Sequence, residues 1–253
     1  MVDNDMVAVS IYTSGEYAIA NPTWHAEDSP WKAKQIMRIL QPCLSGQNFL
    51  RIYEIGCGVG SVLTELQMSL RELNVESACV GYDIAPDAIK QAIGIHGQSD
   101  TLSFECCDVL SKPSLQCDWC LLIDVLEHLQ NPVDFLQELR RRGVQQFIVN
   151  LPLENSLINI MRGKTDPRRS RVGHLHFWDT YSALGILERA GLRVVQWIYA
   201  HEVDVDIRHH RTTASIIAYV PRKLLLAMAP KFCVHLLGGA SMLARCVSNK
   251  LVG

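Results

Sequence analysis

The stretch from Arg51 to Gly60, RIYEIGCGVG, constrains this chain more than any other. A short apolar strand ends at Glu54, and glycines follow at every second position: Gly56, Gly58 and Gly60. A helical pattern begins at Ser61 and runs to about Leu73. Strand, glycine turn and helix together form a nucleotide-binding βα unit. Glycine lets the backbone turn left-handed and approach a ligand closely, and the helix start offers unpaired N–H groups.

The rest of the chain repeats the alternation. Ala78–Asp83 (ACVGYD) reads as strand 2, Thr101–Cys106 as strand 3, Asp118–Asp124 (DWCLLID) as strand 4 and Gln146–Leu151 as strand 5. Strand 4 is apolar almost throughout, as a strand buried on both faces is. Helices are expected at 86–95, opened by Pro86, and at 132–142, where Gly143 follows a basic end, Arg140-Arg141-Arg142, read as a solvated helix end. Trp178–Ala190 is a further helix and Leu192–Tyr199 is strand 6. Ala214–Val220 reads as strand 7. Only the polar loop His201–Arg211 separates it from strand 6, so strand 7 is expected to run antiparallel in a hairpin. Alternating strands and helices predict an α/β fold, a parallel sheet with helices on both faces.

A dinucleotide fingerprint needs G-x-G-x-x-G, but three positions after Gly58 stands Ser61, which disfavours a nicotinamide oxidoreductase. Acids mark the ends of four successive strands: Glu54, Asp83, Asp108 and Asp124. In an open α/β sheet the ligand lies along that edge. An acid such as Asp83 suits vicinal ribose hydroxyls, and one such as Asp108 suits an adenine amino group.

These motifs — EIGCGVG, GYD, the Asp of CCDVL, DVLEHL and GHLHFWD — resemble those of class I S-adenosylmethionine-dependent methyltransferases, of the broad small-molecule group with D-V-L-E-H after strand 4. The likeness covers about residues 30–220. It implies a Rossmann-like seven-stranded sheet of order 3-2-1-4-5-7-6 with strand 7 antiparallel, and S-adenosyl-L-methionine as cofactor. It further implies Glu54, Gly56 and Gly58 around the methionine part, Asp83 on the ribose, Asp108 on the adenine, Ile84 against the adenine face, and Asp124 and Leu126 near the sulfonium. The expected division is an N-terminal arm and cap helix (1–41), a methyltransferase domain (42–220) with a lid insertion at 152–177, and a basic, apolar helical extension (221–253).

Methyl transfer is an in-line displacement that needs alignment and exclusion of water, and no metal. An alcohol acceptor also needs a base, and histidine matches neutral pH. The candidates are His128 after strand 4, His174 and His176 after strand 5, and His25 on the arm. A metal site is not expected from the H-x-H and H-H spacings. The basic run Arg162–Arg171 suggests an anionic small-molecule acceptor. A net charge of −2 offers nucleic acid no general attraction. The nine cysteines, with no secretory signal ahead of them, are expected to be reduced thiols of a cytoplasmic protein. Residues 221–253 contain five basic and no acidic side chains. They are read as two short helices that pack on the sheet, form a homodimer contact, or touch an anionic membrane weakly. The alternative function is a cofactor-binding peripheral membrane or scaffold protein acting through those helices.

Overall fold

A computed structural model describes residues 23–24, 26–166, 173–201 and 213–249. Among them seven strands form one sheet: β1 (Phe49–Ile55), β2 (Glu76–Asp83), β3 (Leu102–Cys106), β4 (Trp119–Ile123), β5 (Gln146–Pro152), β6 (Leu192–His201) and β7 (Ala240–Ser248). Their order is 3-2-1-4-5-7-6. The first five are parallel to one another, and β7 runs antiparallel to both β5 and β6.

Eight helices flank the sheet among the described residues: α1 (Ser29–Leu40), α2 (Ser61–Glu72), α3 (Pro86–His96), α4 (Pro132–Arg141), α5 (Leu157–Met161), α6 (Thr180–Arg189), α7 (Thr213–Met228) and α8 (Pro230–Leu237). Four of them, α1, α3, α4 and α8, have proline in the first turn, where its missing N–H costs nothing. Asp179 caps α6 by accepting from the N–H groups of Tyr181 and Ser182.

Each face of the sheet has its own core. Ile36, Ile39 and Leu40 of α1 pack with Leu63, Leu66 and Leu70 of α2 and with Ile89 and Ala92 of α3 on one face. Leu136 and Leu139 of α4 and Ile186 and Leu187 of α6 cover the other. Each such leucine or isoleucine, taken fully out of water, contributes about 1.5–3 kcal/mol. The apolar stripe of α1 seats this helix on that face beside α2.

The C-terminal third differs from the sequence reading. Residues 214–220, expected as strand 7, belong to α7, which continues through Pro221. The real β7 lies within 221–253, expected to be helical. It is buried along most of its length between β5 and β6. Short apolar runs carry no period that separates strand from helix, and the β-branched residues of ASIIAYV favoured the wrong choice. Residues 221–253 are therefore no detachable extension. Strand 7 is antiparallel as expected, but two helices connect it to β6 in place of a hairpin loop.

Arg140 also departs from expectation. It is buried, donating to the carbonyls of Ala190 and Asn249 and to the Ser248 hydroxyl. Its guanidinium joins the end of α6 to the end of β7, which a solvated helix end would not do.

Candidate active site

The turn after β1 is left-handed at Gly56, Gly58 and Gly60, with φ of 71°, 54° and 75°. Gly56 and Gly60 have no room for a side chain, since a Cβ would meet Val125 at 2.6 Å and Phe104 at 2.3 Å. Gly58 is different: a Cβ there would meet nothing nearer than the Trp24 ring at 3.9 Å. The middle of the turn thus has room for a methyl, in ordinary van der Waals contact with the Trp24 ring.

Glu54 sits beneath the turn, 2% exposed. The Leu63 N–H at the start of α2 donates to its carboxylate, while Oε2 has no hydrogen-bond partner. Burial pushes the carboxyl up to about 8, with Lys32 pulling the other way. A buried carboxylate with a spare oxygen fits a cationic ligand group above it.

Asp83, at the end of β2, receives the Gly58 N–H on Oδ2 at 2.8 Å and the Ala85 N–H on Oδ1 at 2.9 Å. Burial raises its pKa, and these N–H groups oppose the rise. Two oxygens with four lone pairs still leave acceptor capacity toward the edge. Ile84 is exposed beside it. Asp108 is exposed after β3, with Oδ1 accepting from Leu110 N–H.

Asp124 follows β4 with φ of 56°, a left-handed conformation unusual for a residue with a side chain. Lys32 reaches it from α1 at 2.8 Å, and Asn150 donates to its Oδ1 at 2.5 Å. Burial would raise its pKa, but Lys32 and Asn150 outweigh that and hold it below the ordinary carboxylate value. Leu126 is fully buried under the same segment. A small recess of about 10 Å³ lies beside Lys32, between Trp31, Ile36 and Asn150.

The histidines separate by environment. The rings of His128 and His174 meet edge to face, 4.8 Å apart. His128 Nδ1 lies 3.3 Å from the Gly173 carbonyl, and His174 Nδ1 lies 2.6 Å from the Glu154 carboxylate. His176 Nε2 donates to the Leu129 carbonyl, and its ring stacks on Trp178. His25 and the arginines Arg168, Arg169 and Arg171 lie outside the described residues, while Arg162 and Lys164 are exposed.

Sequence reasoning passed over Glu127 and Lys32. Glu127 is fully buried, and neither carboxylate oxygen has a hydrogen-bond partner. Burial, with Asp124 adding to it, raises its pKa well above the ordinary value. Its place in D-V-L-E-H was visible, but its isolation was not. Lys32 belongs to the first turns of α1, which the sequence marked only as a cap helix within 1–41.

A sheet of this order, with a glycine turn after β1 and acids along the ends of β1 to β4, is the class I methyltransferase fold. The methyltransferase-domain family matches residues 25–197, and the chain belongs to it. No curated protein matches the sequence. Solved structures share the fold. Magnesium protoporphyrin IX methyltransferase of Synechocystis PCC 6803, with bound SAH, is 13% identical over 98% of this chain and 100% of that one, with a TM-score of 0.58. The N-methyltransferase NodS of Bradyrhizobium japonicum WM9, in complex with S-adenosyl-L-homocysteine, is 14% identical over 98% of this chain and 100% of that one, at 0.56. The cyclase SpnF is 14% identical over 85% of this chain and 80% of that one, also at 0.56. At such identities the likeness is one of fold.

Proposed function

We propose that the protein transfers a methyl group from S-adenosyl-L-methionine to a small-molecule acceptor. The observation behind this reading is the buried Glu54 with its spare oxygen beside a left-handed glycine turn. S-adenosyl-L-methionine, when bound, supplies a sulfonium methyl to an in-line nucleophile.

In this reading Glu54 holds the ammonium of the methionine part, and Gly56 and Gly58 admit its backbone-like end. Asp83 accepts from the ribose hydroxyls, Ile84 packs on the adenine, and Asp108 accepts from its amino group. Asp124 and Leu126 form the floor beside the reacting centre, where α1 and Trp24 help exclude water. His128 and His174 serve the acceptor side. His176, stacked and hydrogen-bonded, positions the segment before α6.

Calorimetric titration with S-adenosylhomocysteine and, separately, NAD checks the reading. Binding of the first and not the second is expected, with Glu54→Ala weakening it sharply while the far-UV spectrum stays native. Failure of the folded wild-type chain to bind S-adenosylhomocysteine would remove the proposal. The acceptor's class is then found by screening cofactor turnover. Among the described residues the basic run offers only exposed Arg162 and Lys164, so the reading assigns the acceptor no charge. The scaffold alternative loses its basis once β7 is counted in the sheet.

A further inference from the structure

Glu127 is enclosed by protein, with both carboxylate oxygens unpartnered. A carboxylate so placed costs several kcal/mol unless a cation or a proton compensates it. What lies beside it is a pair of imidazoles. One donor atom from each of Glu127, His128 and His174 lies within 4.8 Å of the other two.

Both imidazoles are oriented through Nδ1, His128 by the Gly173 carbonyl and His174 by the Glu154 carboxylate. Those oxygens accept, so the hydrogen in each contact sits on Nδ1. The neutral tautomer then has its lone pair on Nε2. Metal-ligating histidines are held in the same way, with the far nitrogen donating to a carboxylate or a backbone carbonyl. The backbone fixes the arrangement too. The N–H groups of Leu175 and His176 both donate to the Glu127 carbonyl, at 2.8 and 3.2 Å. This ties the segment before α6 to the turn after β4, across 48 and 49 positions of sequence.

We propose that Glu127, His128 and His174 form a binding site for a divalent transition cation. Two imidazoles and one carboxylate suit zinc, cobalt, iron or manganese, whereas calcium and magnesium prefer oxygen ligands alone. Three protein ligands leave coordination positions open for water or an acceptor atom. Bonds of about 2.0–2.2 Å place ligand atoms roughly 3.3 Å apart, so binding draws the three side chains inward by roughly an ångström. Glu154 acts through His174 and touches no ion. The site goes beyond the methyltransferase reading, and its occupancy does not depend on that reading.

The test uses the full chain, stripped of metal by dialysis against a chelator and titrated with Co²⁺, followed by calorimetry and visible absorption. About one equivalent is expected to bind, with the ligand-field bands of imidazole coordination. Glu127→Gln and His174→Ala are expected to weaken binding by at least about 100-fold, and Glu154→Gln by about 10- to 100-fold. Circular dichroism and S-adenosylhomocysteine binding are measured on every variant, so loss of metal is separated from loss of fold and from failure of the cofactor site. Should His174→Ala not fold, Glu127→Gln decides alone, because it removes a buried charge without changing shape. No Co²⁺ uptake by the wild-type chain at millimolar metal overturns the site. So does uptake that persists in Glu127→Gln, as uptake at the exposed thiol of Cys106 would.

Discussion

Lys32 Nζ lies 2.8 Å from Asp124 Oδ2, which fastens α1 to the left-handed residue after β4. The N-terminal helix thereby borders the candidate site. The pair also explains why Asp124 stays ionised where burial alone would favour its proton.

Lys32→Met should therefore cost about 2 kcal/mol at neutral pH, because Asp124 keeps its charge without its cation. The folded pKa of Asp124 is depressed, so its contribution is present above its ordinary value, near 3.8, and is lost as pH falls through the folded pKa. The gap between wild type and Lys32→Met, read by urea unfolding, should shrink as pH falls below about 4. A gap independent of pH would mean that the pair does not hold the charge.

Glu54 has the opposite sign. Its folded pKa, about 8, lies above the ordinary 4.5, so its contribution is present below 4.5 and lost as pH rises through 8. Apo wild type should lose stability over that window relative to Glu54→Gln. If an ammonium settles on Glu54, the ionised form wins and binding near pH 7 releases a proton. Calorimetry of S-adenosylhomocysteine binding in buffers of different ionisation heat reads this release directly. Tight binding with no release would place the ammonium elsewhere.

Substitutions in the glycine turn should separate fold from binding. Gly60→Ala forces a Cβ to within 2.3 Å of Phe104 at a left-handed residue, and should cost about 3 kcal/mol. Gly58→Ala meets no clash and should cost only about 1–2 kcal/mol for its backbone. It nevertheless places a methyl where the ligand would approach, so affinity for S-adenosylhomocysteine should drop at least about tenfold. Chemical denaturation and calorimetry on the two variants test both statements.

Truncation after Val220 removes β7, which pairs with both β5 and β6. It also strips Arg140 of its acceptors at Ser248 and Asn249. The shortened chain should fail to fold, leaving β5 and β6 as unpaired edges. A native-like spectrum and cooperative unfolding in the truncated protein would restore the idea of a separable C-terminal extension.

The glycine turn, the acids at the ends of the first four strands and the alternation around them were legible in the sequence. Each depends on local rules: left-handed backbone at glycine, apolar runs for strands, proline and aspartate at helix starts. The chain's own pattern therefore determined the fold class and the acid-lined edge of the sheet. Tertiary structure decided the rest. It chose ASMLARCVS over ASIIAYV as the seventh strand, because only pairing with β5 and β6 distinguishes one short apolar run from another. It buried Arg140, because the carbonyls that receive it lie some 50 to 109 positions away. It also brought His174 to Glu127 and His128, and Lys32 to Asp124. Charge compensation in a low-dielectric interior depends on distance in space, and spacing along the chain does not record that distance.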